Sequence, residues 1–141
     1  MTHAIKIGKV IREQLMADSN IVAKIENKAF PLIAENDTTF PFICYTRETI
    51  NPEQNTKDGY VGDRTNFRID VVSNSYNECV DISDLVRELF EKRIINSITH
   101  GMQLQDCYMS GINEFWDSNT YITQLRFTCV VKNLVVQKPT N

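Results

Sequence analysis

The sequence predicts an α+β fold, a mainly antiparallel sheet of about four to five strands with two principal helices packed on one face. Three observations lead there. Between Tyr121 and Val131, the residues Tyr121, Thr123, Leu125, Phe127, Cys129 and Val131 alternate with Ile122, Gln124, Arg126, Thr128 and Val130, the two-residue period of a strand packed on one face. Residues 3–17 and 77–96 instead carry their apolar side chains at helical spacing. Links of hairpin length join the strand-like stretches at both ends of the chain and favour antiparallel pairing.

Taken in order, the first helix sets Ile7, Val10, Ile11 and Leu15 on one stripe and Lys6, Lys9, Arg12, Glu13 and Gln14 elsewhere. Asp18, Ser19 and Asn20 offer turn or N-cap oxygens before a short second helical turn packed through Ile21, Val22 and Ile25. Residues 29–34 are apolar but contain Pro31, which lacks the amide a central ladder requires, and read as an edge strand or extended arm. Residues 40–50 make a better strand: Pro41 sets an extended approach, and Phe42, Cys44 and Thr46 alternate with Ile43, Tyr45 and Arg47.

Residues 51–63 are polar, contain Pro52, Gly59 and Gly62, and show no apolar period. This is the expected long loop, mobile in an isolated subunit because its side chains bury too little apolar surface to offset backbone entropy. Tyr60 and Val61 are its sizeable apolar side chains. A strand over 64–73 follows, with Phe67, Ile69 and Val71 facing the core and Arg68 and Asp70 facing away.

The helix over 77–96 has a broad stripe of Cys79, Val80, Ile82, Val86, Leu89, Phe90 and Arg93 or Ile94 opposite Glu78, Asp81, Asp84, Glu88 and Glu91. Acids near its start and Lys92 and Arg93 near its end complement the helix dipole. Gly101 then breaks the chain, and residues 102–115 form a strand in which Gly111 marks a bulge or kink. Residues 115–119 read as the turn into the final strand, and Phe115 and Trp116 beside it are expected in the core rather than at a partner surface. Residues 134–141 form a C-terminal tail that extends the last strand or frays.

A chain of 141 residues is the size of one domain, so residues 1–141 are expected to share a single core. A net charge of −3 argues against a protein that coats nucleic acid by neutralising phosphates. Neither a signal-peptide core nor an apolar run of membrane-spanning length is visible, so cytosolic synthesis without export or membrane attachment is expected. The four cysteines, Cys44, Cys79, Cys107 and Cys129, stand 35, 28 and 22 residues apart, without the close pairs that zinc sites use. They are expected as free, buried thiols.

Catalytic motifs are missing, and neither a cofactor nor a metal is implied. His3 and His100 both fall at element ends, and a Cys107–His100 nucleophile pair would lie in no recognisable motif. Glu48, Glu53, Asp58, Asp63, Asp106, Glu114 and Asp117 could supply an acid/base pair, but carboxylates occur in almost any chain of this size. The segment from Gly59 to Gly62 lacks the phosphate-loop pattern and reads as a flexible turn. Arg64, Arg68 and Arg126 belong to the polar face of the sheet, where ordinary ion pairs are expected.

Over residues 5–133 the succession of elements resembles the tail-completion or tail-terminator family of long-tailed bacteriophages. The resemblance is carried by the opening helix closing at Asp18-Ser19-Asn20-Ile21-Val22, the Ala29-Phe30-Pro31 strand and the Phe40-Pro41-Phe42-Ile43-Cys44-Tyr45 strand. It continues through Arg64-x-x-Phe67-Arg68-Ile69-Asp70-Val71, the long helix from Asn77, and the closing hairpin with Trp116-Asp117 and Leu125-Arg126-Phe127. No one of these motifs is specific; their order and spacing carry the likeness.

The resemblance implies a structural protein without catalysis, forming a ring, commonly a hexamer, on the head-proximal end of the tail tube. Its implied partners are other copies of itself, the tail-tube protein and the head connector, with DNA passing through unbound. It implies assembly in the host cytoplasm and residence at the head–tail junction. Glu53, Lys57, Asp58, Tyr60, Val61, Asp63, Arg68 and Arg126 are the candidate interface residues, taken from the long loop and the polar sheet face. A ring needs two different patches on each subunit, and an exposed sheet face, an edge strand and a long loop would provide them. The alternatives are a stand-alone protein-binding adaptor and a small cysteine-dependent enzyme.

Overall fold

The structure, a computed structural model, describes residues 1–53 and 62–134. A 3-10 turn at Ala4–Lys6 leads into α1 (Ile7–Ala17). Asp18 ends α1 and caps α2 (Ser19–Ile25), its carboxylate accepting from the amides of Asn20 and Ile21, both at 3.0 Å. The expected turn residues therefore become a shared stop and start, and a third, short helix joins the two principal ones.

A six-stranded sheet follows, β1 (Ala29–Pro31), β2 (Phe42–Glu53), β3 (Gly62–Ser73), β4 (Lys92–Ser97), β5 (Met102–Asp117) and β6 (Thr120–Asn133), in the spatial order β1-β2-β3-β6-β5-β4. All neighbours pair antiparallel except β1, which runs parallel to β2, so the sheet is mixed. Pro31 ends β1 at the sheet margin, where its missing amide breaks no central ladder.

The sixth strand was not expected. The helix over 77–96 is shorter than its periodicity suggested: α3 spans Tyr76–Phe90, and Lys92, Arg93, Ile94 and Ile95 belong to β4. Adjacent isoleucines suit a strand as well as a helix, and tertiary contacts decide between them. Glu91 accepts from Arg87 Nε at 2.6 Å and from the Met109 amide at 3.1 Å, so the carboxylate that ends α3 is already docked on β5. From there Ile95 and Ser97 turn inward while Ile94 and Asn96 face solvent.

At its other end α3 is capped by Ser75, whose hydroxyl accepts from the Glu78 amide, while Glu78 accepts from Ser73. The expected long loop is also shorter. Residues 51–53 extend β2 and 62–63 open β3, leaving 54–61 outside the described residues. Gly62 is required where it sits, because a Cβ there would lie 2.8 Å from Val130 Cγ1 and 2.9 Å from the Val131 oxygen.

The three helices cover one face of the sheet, α1 resting on β2 and α3 on β3 and β6. Between the layers Phe67 and Phe127, register partners on β3 and β6, stack at 5.3 Å, and Phe90 from the last turn of α3 closes on them at 5.5 and 5.6 Å. All three are fully buried, each contributing about 1.5–3 kcal/mol of apolar burial. The alternating set Thr123, Leu125, Phe127, Cys129 and Val131 faces this core as its period predicted. Leu89 is only partly buried at its margin.

Candidate assembly surface

The uncovered face of the sheet carries the arginines. Arg68 and Arg126 are direct register partners on β3 and β6, an arrangement that would be repulsive if neither had a counter-ion. Each has one. Arg68 donates to Asp70 through Nε at 2.9 Å and through its second guanidinium nitrogen at 3.2 Å, a two-point fork, while Arg126 Nε lies 3.8 Å from Glu48. Arg64 donates to Glu53 at 2.5 Å.

The three arginines thus each sit in an ion pair, and Lys132, on the outward side of β6, adds a fourth cation to the face. Such a surface suits contact with another protein better than contact with phosphates. As half-exposed pairs they add little stability, about 0.2–1 kcal/mol each.

Of the residues picked out in sequence, Glu53, Arg68 and Arg126 gather on this face. Asp63 stands apart: it is 7% exposed, lies on the covered side of β3 and accepts from the Thr2 hydroxyl, tying the N-terminal segment to the sheet. Lys57, Asp58, Tyr60 and Val61 lie outside the described residues.

A second surface lies around the β5–β6 hairpin. A bulge between Met109 and Gly111 bends β5 near the predicted glycine. Pairing of β4 with β5 ends at Lys92 and Cys107, so the outer edge of β5 from Tyr108 to Asp117 has no partner strand among the described residues. Phe115 and Trp116 belong to this bare edge and not to a turn or the core; they are 45% and 58% exposed, and the turn itself is Ser118-Asn119. Their expected burial fails because Phe115 faces the side of the sheet without helices, while Trp116, on the helix side, lies beyond the strands on which α3 rests.

Between α3 and this hairpin runs a groove of about 180 Å³. Its floor is Thr123 and Leu125, and its walls are Val80, Ser83, Asp84 and Arg87 on one side and Met109, Ile112 and Glu114 on the other. Beyond Glu114 it continues into a hollow beside Tyr76, Trp116 and Tyr121. Tyr76 packs edge-on against Tyr121 at 5.6 Å, and its hydroxyl bond to Glu114 raises the phenol above its ordinary pKa.

Sequence reasoning placed Val80 in the buried stripe of the helix, whereas it is 40% exposed at the groove rim. The periodicity marks which helical face is apolar. How far the sheet extends beneath that face is not encoded in it.

The cysteines lie inside the fold. All four cysteines are free and buried. The neighbouring Cys129 thiol, together with burial, pushes the Cys107 thiol far above the ordinary range. Burial, with Asp70 nearby, pushes Cys44 up to about 11. Burial also raises Cys79, whose Sγ donates to the Val71 carbonyl at 3.2 Å and fastens α3 to the sheet.

His100 faces Glu13 at 3.7 Å, so the conceivable Cys107–His100 pair is replaced by a Cys107–Cys129 contact and a His100–Glu13 contact. Among the described residues no group of three or more His, Cys, Asp or Glu is placed to hold a metal, and no helix is long and apolar enough to cross a membrane.

This architecture has known counterparts. In structure the chain is similar to a component of the solved "Virion of native gene transfer agent (GTA) particle", with a TM-score of 0.66 at 13% sequence identity, over 86% of this chain and 90% of that one. At that identity the likeness is one of fold. Comparison with curated proteins by sequence gives no match. The profile of the family described as "Tail completion protein gp17" matches residues 9–132, a span that takes in α2, α3, β1 to β5, most of α1 and all but the last residue of β6. The chain belongs to the phage tail completion protein family.

Proposed function

We propose that this protein is a non-enzymatic subunit of a ring, hexameric in the assembled particle, that caps the tail tube at its head-proximal end and joins it to the head connector. The family match over residues 9–132 carries this reading. Two features support it: the ion-paired open face and the groove-bearing margin are different surfaces of one subunit, as a closed head-to-tail ring requires. The net charge of −3 suits a conduit through which DNA slides without being held. On this reading the subunit is made in the host cytoplasm and ends at the head–tail junction.

The segment between β2 and β3 is assigned to docking on the tube. Replacing residues 54–61 by an Asn-Gly turn should preserve the fold, since Glu53 and Gly62 are register partners, and weaken attachment. The test of the whole reading is removal of the gene from its phage. Tails of unregulated length and heads without tails, both corrected by supplying the protein, are the expected result. Normal joined particles without it would refute the reading. A stand-alone adaptor working through the bare β5 edge would instead leave the protein absent from purified particles.

A further inference from the structure

We propose that the bare half of β5 receives residues 135–138 of a second copy of this chain as an added strand, with Lys138 entering the groove between Asp84 and Glu114; the contact rests on the ring reading above. The groove has the chemistry of a cation site. Asp84 and Glu114 stand on its opposite walls, and neither lies within ion-pair distance of a base among the described residues. Arg87, the one base in its lining, is held by Glu91 at 2.6 Å. The hollow that continues the groove has no basic residue in its lining, and Tyr76, Tyr121 and Trp116 gather there beside Glu114. Carboxylates and aromatic faces together attract an ammonium or guanidinium group. Val80, Met109, Ile112 and Leu125 offer an aliphatic wall for the methylene stem behind it.

The backbone beside the groove is open to a strand. From Tyr108 to Asp117 the outer edge of β5 has no partner strand among the described residues, and past its bulge it pairs regularly with β6 as far as Asp117. The opposite margin of the sheet is guarded: β1 ends at Pro31, and a bulge between Arg47 and Ile50, followed by Pro52, interrupts the free part of β2. Prolines and bulges deter strand addition, whereas a bare edge without proline admits it. The added strand is therefore not the opposite sheet margin of a neighbour.

Residues 135–138 match the margin in pattern. Val135 and Val136 are β-branched and suit a strand, and Val136 and Lys138 share one face of an extended chain, as Ile112 and Glu114 do on the helix side of β5. A parallel alignment sets Val136 beside Ile112 and Lys138 beside Glu114, apolar on apolar and base on acid. Pro139, which has no amide to donate, ends the ladder there. Every lysine within the described residues sits in a helix or a paired strand except Lys28, which donates to Thr39, and Lys57 is followed by Asp58.

The contact must run between copies. Lys138 lies four residues past Leu134, whose amide donates to the Gly101 carbonyl, and four extended residues span at most about 14 Å. Glu114 pairs with Thr123, ten residues back along β6 from Asn133 and so about 33 Å away. One end of the hairpin thus supplies the strand and the other receives it. Two unlike patches make a heterologous contact, the kind that a ring repeats.

The test uses the full chain. A synthetic peptide of residues 134–141 is titrated into dilute protein, and the emission of Trp116, the single tryptophan, reports occupation of the hollow. The native peptide should shift that emission to the blue and saturate, and the Lys138→Glu peptide should bind about tenfold more weakly or worse. Against the Glu114→Lys protein the order of the two peptides should reverse, a rescue that a merely structural loss cannot produce. Equal responses to both peptides, or none to either, would overturn the contact.

In assembled particles, Ile112→Cys and Val136→Cys made together should give a covalent ladder with a short bis-maleimide, and each alone should give none, since the native cysteines are buried. Cross-links from Ile112→Cys to a different particle protein would overturn the contact by naming another occupant. Rings seen by negative stain without a ladder would overturn it and leave the ring reading standing. Peptide binding with the charge reversal, but no rings on tails, would uphold the recognition of this strand by the groove and overturn the ring reading.

Discussion

The proximal and distal halves of the β5–β6 hairpin share one antiparallel ladder but meet different surroundings. From Met102 to Cys107, β5 is flanked by β4, and the inward side chains Met102, Leu104 and Cys107 are almost fully buried. From Tyr108 onward the same strand has a bare edge, and Ile112 and Trp116, on the helix side of the sheet, are 48% and 58% exposed. Residue chemistry is similar in the two halves. What differs is whether α3 and β4 reach them, so burial here is a property of coverage, and the uncovered half is free to serve as a surface.

The comparison can be broken most forcefully at its two aromatic extremes. Phe127→Ala removes a ring packed against Phe67 and Phe90 and should destabilise by about 3–5 kcal/mol, whereas Trp116→Ala should stay within about 0.5 kcal/mol. Denaturant midpoints for the pair decide it; equal losses would mean that the hairpin tip is core after all. Trp116 is the single tryptophan, so its emission in the wild-type protein should also report a wet environment in the free subunit and shift to the blue on assembly.

Gly62→Ala probes the tight packing of β3 on β6 at the end of the sheet remote from the hairpin tip. With less than 3 Å between the new methyl and both Val130 Cγ1 and the Val131 oxygen, the strands must separate, at a cost of about 1–3 kcal/mol in thermal or chemical unfolding. Gly111→Ala, in the bare half, meets nothing within 4 Å and should cost far less.

Ser75→Ala removes the cap of the helix that provides coverage and should cost about 1 kcal/mol. The smallest effect concerns Glu91, at the junction where coverage by β4 begins. Its carboxyl is held below its ordinary 4.5 by hydrogen bonds from Arg87 and from the Met109 amide. The unfolded chain keeps the ordinary value, so this contribution is full above about pH 4.5 and is lost as pH falls through the lowered folded value. Because the pair is partly solvated, Glu91→Gln should cost about 0.2–1 kcal/mol at pH 7 and progressively less as the carboxyl is protonated at lower pH. A loss that does not change with pH would mean that geometry, not charge, sets the α3–β4 junction.

Much of this protein is determined by local pattern alone. The two-residue period of Thr123 through Val131 selects both a strand and its buried side, Asp18 stops one helix and starts the next, and Pro31 confines β1 to a margin. These are short-range effects of side-chain direction, capping and a missing amide, and they act before any long-range contact forms. The polar-face arginines were legible for the same reason, but their partners were not, since Glu48 meets Arg126 only after β2, β3 and β6 have aligned.

Tertiary structure decided the rest. Lys92 to Ser97 left the helical pattern because the edge of β5 was available to pair; Phe115 became surface because it lies on the face without helices, and Trp116 and Val80 because the distal hairpin and the outer flank of α3 have no further element against them among the described residues. Apolar periodicity specifies which side of an element seeks a partner; the reach of the neighbouring element, a property of the whole packed fold, decides whether that partner lies in the same chain.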